Sequence, residues 1–167
     1  MRTAVALGSN LDDRLANLRA ARAAVINLPG VTPPILSSAI YETDPVDCEP
    51  GAARFLNAVI EFDYNGQPSD LLKQLKGVEN ALGRPSNHQR NVSRRIDIDL
   101  LYLGDEKIET EELRLPHPRM HQRKFVLRPL NDIRSELVLP GQIKAVAELL
   151  AEIGDSAKVI RTKWDLE

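Results

Sequence analysis

The order in which hydrophobic periodicity changes over residues 2–103 constrains this chain more than any other feature. Residues 2–8, RTAVALG, are a short apolar run closed by Gly8, after which Ser9 or Asn10 can cap a helix with Asp12 and Asp13 in its first turn. Leu11, Leu15, Leu18, Val25 and Leu28 then recur at helical spacing until Pro29-Gly30 ends the pattern. Residues 35–43, ILSSAIYET, read as a strand, and the Pro- and Gly-punctuated DPVDCEPGA that follows has the length and composition of a functional loop. In FLNAVIEFD at 55–63 the period is two: Leu56, Ala58, Ile60 and Phe62 face one side, and Phe55, Asn57, Val59 and Glu61 the other. Ser69 is placed to cap a second helix whose stripe is Leu71, Leu72, Leu75, Val78 and Leu82, with Gly83 at the C′ position. Residues 84–95 are polar, basic and aperiodic, an exposed loop leading into the strand RRIDIDLLYL. Beyond it the sequence reads as irregular through LPHPRMHQRKFVLRPL, with one more helix expected over 142–153 carrying Ile143, Val146, Leu150 and Ile153 on one face.

Strand, helix, strand, strand, helix, strand is the split βαβ order of the ferredoxin-like α+β folds: an antiparallel sheet with helices on one face and the other face open for a ligand. That arrangement explains why an apolar strand holds two acids. Ile96, Ile98 and Leu100 point toward the helices, while Asp97 and Asp99 point to the open face with Cα atoms roughly 6–7 Å apart. By the same alternation Phe55 and Asn57 share that face.

At 167 residues one compact domain, residues 1–167, is expected. A formal net charge of −2 gives no general attraction to nucleic acid or anionic lipid, so an anionic ligand must be held by local positive charge. Cys48, the single cysteine, excludes an internal disulfide, and the apolar run at MRTAVALGSN is too short for a signal peptide or a membrane span. A cytoplasmic location is expected.

Two carboxylates on one strand face suit Mg²⁺, which takes one or two carboxylates and fills its other positions with water and phosphate oxygens. Arg94 and Arg95 adjoin the acids, and Arg84, Arg90, Arg119, Arg123, Lys124 and Arg128 fall in segments able to border the same face. Cations beside paired acids are what a polyphosphate bound with Mg²⁺ requires. His117 sits in L-P-H-P, where prolines fix the backbone on either side, and Glu79 edges the buried stripe of the second helix. Gly8-Ser9-Asn10 lacks the further glycine and lysine of a phosphate loop and reads as a strand-to-helix turn that also shapes the site.

In order and spacing, LGSNL, YETDPV, FLNAV, the helix carrying Glu79, RRIDIDLLYLG, LPHPRM and RKFVLRPL resemble the 6-hydroxymethyl-7,8-dihydropterin pyrophosphokinase family of folate synthesis, over nearly the whole chain. The resemblance implies a ferredoxin-like fold and transfer of the diphosphoryl unit of ATP to the pterin hydroxymethyl group. Carried over by position, Asp97 and Asp99 bind two Mg²⁺ ions and, with Arg84 and Arg94, form the catalytic set. Thr43, Pro45, Val46, Phe55, Asn57 and Phe125 hold the pterin. Glu79, Arg84, Arg94, Ile98, His117 and Arg123 contact the nucleotide. ATP and the hydroxymethyl-dihydropterin are the implied partners of a monomer, with room for association with a neighbouring folate enzyme and none for nucleic acid or membrane.

This chain departs from the family at Asn91-Val92-Ser93-Arg94, where members commonly carry a tryptophan and a G-P-R element. A weakened or altered paralogue is one alternative. A metal-dependent nucleotidyltransferase would also combine G-S with D-x-D, but usually close in sequence, whereas Gly8 and Asp97 are far apart here. An RNA-binding module of similar fold would need stacking aromatics, which make up 4% of this chain.

Overall fold

The computed structural model describes residues 1–45, 50–83, 95–154 and 158–167. One six-stranded sheet organises them. Its strands β1 (Arg2–Ser9), β2 (Val31–Ser37), β3 (Tyr41–Thr43), β4 (Phe55–Tyr64), β5 (Asp97–Leu103) and β8 (Val159–Arg161) run in the order β5-β1-β4-β3-β8, with β2 on the same side of β4 as β3. All the pairings are antiparallel. The helices α1 (Arg14–Ile26) and α2 (Pro68–Ala81) lie on the first face.

The first face follows from the sequence. Val5 and Leu7, Leu56 through Phe62 at every second residue, and Ile96, Ile98 and Leu100 meet Leu18, Ala21 and Val25 of α1 and Leu71, Leu75 and Val78 of α2 in one buried cluster. Each valine, leucine, isoleucine or phenylalanine among them contributes about 1.5–3 kcal/mol on leaving water. The cap of α1 is Asp13, whose carboxylate accepts the Ala16 N–H at 3.1 Å, rather than Ser9 or Asn10. Helix α2 is capped by Gln67 rather than Ser69, which lies inside its first turn with Pro68, and Gly83 stands at the expected C′ position with φ +99°.

Three expectations need correction. The strand read over 35–43 is split. Pro33 and Pro34 lie in β2, where a register shift between Thr32 and Leu36 absorbs them, and Ser38 then bridges to β4 by accepting the Val59 N–H on its hydroxyl at 2.9 Å. The segment read as irregular contains a 3-10 turn (Met120–Gln122) and a helix, α3 (Lys124–Arg134), with Pro129 inside it. A helical proline loses one hydrogen bond, and here the loss is offset by burying Val126, Leu127, Pro129 and Leu130. The last helix, α4, covers Val146–Glu152 only, and Ile143 lies before it, 93% exposed. A hairpin of β6 (Ile108–Glu109) and β7 (Arg114–Leu115), and the edge strand β8, are short additions with no periodicity to betray them.

The second face is therefore only partly open. Met120, α3 and α4 cover Ala4, Val59, Leu101 and Tyr102. Under that cover Glu61 is 0% exposed and is met by Arg2 Nε at 2.6 Å and Arg134 Nε at 3.3 Å. Burial, then the Glu61 carboxylate, push the Tyr102 hydroxyl above its ordinary range.

Candidate active site

Strand register gathers the polar residues of the uncovered end. Gly8 of β1 pairs with Asn57 of β4 on one side and with Asp97 of β5 on the other, and Asn57 pairs in turn with Tyr41 of β3. One row across the sheet thus reads Asp97, Gly8, Asn57, Tyr41. Neighbouring strands are about 4.8 Å apart, so Asp97 and Asn57 stand about 10 Å from each other. Asp99 lies two residues up β5, opposite Ala6, and Phe55 lies two residues down β4, opposite Thr43.

Gly8 is the floor between the two halves. A Cβ there would come within 3.0 Å of Asn57 Oδ1 and 3.7 Å of the Phe55 ring, so the row closes up only because position 8 has no side chain. Asn57 is nearly buried, and its amide donates to the Thr43 hydroxyl at 2.6 Å, which fixes the direction of its carbonyl oxygen. Asp97 and Asp99 are partly exposed.

Glu79 approaches from α2 and accepts the Ile98 backbone N–H at 2.7 Å. It pins the strand residue between the two acids. The Ile98 side chain is buried in the first core, so what Ile98 can offer a ligand is its backbone. The hairpin returns the chain to β5, where the His117 N–H donates to the Leu101 carbonyl at 2.7 Å. His117 Nδ1 accepts the Arg119 N–H at 3.2 Å, so in the neutral ring the proton sits on Nε2. Burial first, then Arg123 and Arg119, lower the His117 pKa to about 4, against an opposing pull from Asp97. The imidazole is neutral at physiological pH.

Helix α3 begins at this edge. Arg123 lies 5.5 Å from the Phe125 ring centroid, and Phe125 packs partly against the second core. Thr43 is buried and Pro45 half-buried at the end of β3. The expected site residues Asp97, Asp99, Thr43, Pro45, Phe55, Asn57, Phe125, Glu79, His117 and Arg123 thus come from the elements bordering one end of the sheet. Val46, Arg84 and Arg94 lie outside the described residues, as do Arg90 and Asn91. Two other cations have local partners: Arg95 pairs with Asp12 at 2.8 Å, and Arg128 sits over the Tyr41 ring at 5.5 Å. Gly8 falls in the Gly8-Ser9-Asn10 turn expected to shape the site, whereas Tyr41 is not among the site residues the sequence offers.

Among the described residues, no three His, Cys, Asp or Glu side chains gather as a ready metal site. A pair of partly exposed aspartates on one face is nonetheless the hard-oxygen donor set that suits Mg²⁺ arriving with phosphate oxygens. Among the described residues no helix is long and apolar enough to cross a membrane.

Residues 4–135 match the family described as 7,8-dihydro-6-hydroxymethylpterin-pyrophosphokinase. The chain is 46% identical over 129 residues to the 2-amino-4-hydroxy-6-hydroxymethyldihydropteridine pyrophosphokinase of Bacillus subtilis, covering 77% of this chain and 75% of the relative. It is 36% identical over 151 residues to the protein of the same name from Haemophilus influenzae, covering 90% and 92%. It also matches the folate synthesis bifunctional protein of Arabidopsis thaliana, 38% identical over 77% of this chain and 26% of that protein. Among solved structures, an HPPK-DHPS crystal structure in complex with substrates superposes with a TM-score of 0.73 at 14% identity, covering 90% of this chain and 42% of that one. The chain thus spans less than half of that longer protein, and the likeness is one of fold.

Proposed function

Because this chain belongs to the 7,8-dihydro-6-hydroxymethylpterin-pyrophosphokinase family, we propose that the uncovered end of its sheet is where the diphosphoryl group of ATP passes to the hydroxymethyl oxygen of the dihydropterin. The enzyme is a pyrophosphokinase of folate synthesis. The hydroxymethyl oxygen attacks the β-phosphorus and loses its proton, the bond between the β-phosphorus and the oxygen it shares with the α-phosphate breaks, and AMP leaves with that oxygen. Residues 1–167 act as one domain and as a monomer in the cytosol. The bifunctional relative supports a neighbouring folate enzyme as a natural partner.

The observation that carries the reading is the row Asp97, Gly8, Asn57, which sets a carboxylate end for phosphates about 10 Å from an amide end for a heterocycle. Asn57, held by Thr43, reads the polar edge of the pterin. Phe55 and Phe125 provide apolar faces for the flat ring, and the backbone of Thr43 and Pro45 closes beside it, with Val46 assigned there by the sequence resemblance. Asp97 and Asp99 would hold Mg²⁺, which when bound neutralises charge on the phosphates. Glu79 keeps Ile98, and with it both aspartates, in place. His117 donates from Nε2 to a phosphate oxygen, and Arg123 contributes positive charge beside it. Arg84 and Arg94 are assigned to the phosphates by the sequence resemblance. Catalysis of this kind is positioning and electrostatics, with no covalent protein intermediate.

Mixing the protein with ATP, Mg²⁺ and 6-hydroxymethyl-7,8-dihydropterin should release AMP and pterin diphosphate in equal amounts. Production of ADP, or no nucleotide product, would refute the reaction; full turnover in excess EDTA would refute the metal assignment.

A further inference from the structure

Phe125, Arg128 and Asp132 fall on one side of α3, at i, i+3 and i+7. The span is about 10 Å along the axis at ~1.5 Å per residue. Phe125 belongs to the proposed pterin slot, and the other two close on Tyr41. The Tyr41 hydroxyl donates to both oxygens of the Asp132 carboxylate, at 2.9 and 2.8 Å, and the Ala39 backbone N–H donates to Oδ2 at 3.2 Å. The Arg128 guanidinium lies over the Tyr41 ring, 5.5 Å from its centroid, within cation–π range. Tyr41 is 0% exposed.

Tyr41 is also part of the strand that reads the ligand. It stands opposite Asn57, and two residues on, Thr43 accepts the Asn57 amide. The apolar contacts of Val126, Leu127 and Leu130 hold α3 against the sheet, but dispersion contacts are not directional and tolerate sliding. The bonds to Tyr41 and Ala39 have direction, and they fix the helix to the strand.

We propose that Asp132, acting through Tyr41 together with Arg128, is a positioning residue for the pterin. The clamp sets the height and rotation of α3 over β3, and with them the gap between Phe125 on the helix and the Asn57–Thr43 edge beneath it. The inference rests on the pterin reading of this end of the sheet. A misplacement of about 1 Å in a substrate-positioning group is enough to disturb binding and turnover. The carboxylate end is held separately, by Glu79 on Ile98, so the clamp acts on one substrate and not the other.

The test is Tyr41→Phe, Asp132→Asn and the double variant, with dissociation constants for pterin and for ATP, KM and kcat for each, and thermal melts. Tyr41→Phe keeps the ring under Arg128 and removes the bonded hydroxyl. It should weaken pterin binding about five- to tenfold, the equivalent of one ordinary hydrogen bond, with ATP binding within about twofold of wild type. Asp132→Asn keeps one acceptor oxygen and should give a smaller loss of the same kind. The double variant should bind pterin no more weakly than Tyr41→Phe alone, because both changes break one link. Pterin and ATP affinities falling together, or a lower melting temperature with unchanged pterin affinity, would reduce the clamp to a structural role and overturn the proposal. Tyr41→Phe keeps it open to test should Asp132→Asn fold poorly. Wild-type protein that releases no AMP would overturn the pterin reading and this inference together; active wild type with variants that bind pterin normally would overturn the inference alone.

Discussion

Glu61 and Asp99 project from the same face of one sheet, yet the two ends of that face use carboxylates in opposite ways. At the covered end Glu61 is sealed beneath α3, with Arg2 and Arg134 supplied by the chain itself. At the uncovered end Asp97 and Asp99 reach solvent, beside a histidine that burial keeps neutral. The strands and the alternation are shared, and the difference lies in where α3 stops. Its last turn places Arg134 on Glu61, while its first turn brings Phe125 only to the rim. A carboxylate sealed with the chain's own cations holds the fold; one that reaches solvent can also meet a cation that comes with a ligand.

The largest contrast should come from removing the acids at each end. Asp97→Ala and Asp99→Ala should each lower turnover roughly 10³-fold, the loss of several kcal/mol of charge stabilisation, while leaving the melting temperature within a few degrees. Near-native turnover of either variant at saturating Mg²⁺ would show that the exposed pair is not a metal site. Glu61→Ala should do the reverse. Removing the buried partner of two partly exposed arginines, of which Arg2 keeps Asp63 and the Pro34 carbonyl, should lower stability by about 1–3 kcal/mol, measured by urea unfolding, with kcat retained where the protein is folded. A stability loss under about 1 kcal/mol would mean that solvent and Asp63 compensate the two arginines fully, and that Glu61 does not tie α3 to the sheet.

The contrast between the ends was partly legible in the sequence. Period two along 55–63 and 96–101 assigned Asp97, Asp99, Phe55 and Asn57 to one face correctly, because alternation on a half-covered sheet leaves no other register. What covers that face was hidden. Pro129 reads as a helix breaker, and the helix around it forms because tertiary burial of Val126, Leu127 and Leu130 outweighs one missing hydrogen bond. Pro33 and Pro34 similarly concealed β2, which lies at a sheet edge where a proline is tolerated. The link between Tyr41 and Asp132 spans 91 residues of sequence, and no local pattern announces it. Likewise β8 pairs Tyr41 with Arg161, from the far end of the sequence.

A more modest effect is expected from pH. Burial, then Arg123 and Arg119, lower the His117 pKa to about 4, from about 6.5 in an unfolded chain. Between these values the unfolded chain binds more protons than the folded one, so His117 leaves stability undiminished above about pH 6.5 and lowers it progressively as pH falls toward 4. His117→Asn should flatten this part of the acid limb and leave the melting temperature at pH 8 nearly unchanged. Parallel acid limbs in the two proteins would mean that the imidazole is solvated, and that the open end extends further under the hairpin than its burial indicates.

The smallest change tests the boundary between the two ends. Gly8 is the one position in the row Asp97, Gly8, Asn57, Tyr41 without a side chain, and its φ is not in the left-handed region, so alanine can adopt the backbone. Alanine is the better strand residue by roughly 0.5–1 kcal/mol of chain entropy. Its methyl, however, would sit 3.0 Å from Asn57 Oδ1, and Asn57 cannot swing away freely while its amide nitrogen is bonded to Thr43 at 2.6 Å. The two effects should separate. Folding stability should stay within about 1 kcal/mol of wild type, while pterin affinity falls by about 1–2 kcal/mol, the low end of the range for overpacking a filled site. ATP affinity should hold, because Asp99 and His117 are not moved by a methyl at position 8. Calorimetry with each substrate and a thermal melt measure all three quantities. Unchanged pterin affinity in Gly8→Ala would mean that Asn57 is not pressed against the ligand, and would move the pterin away from the floor of the sheet; loss of both affinities together would mean that the two substrates share one floor and that Gly8 does not divide it.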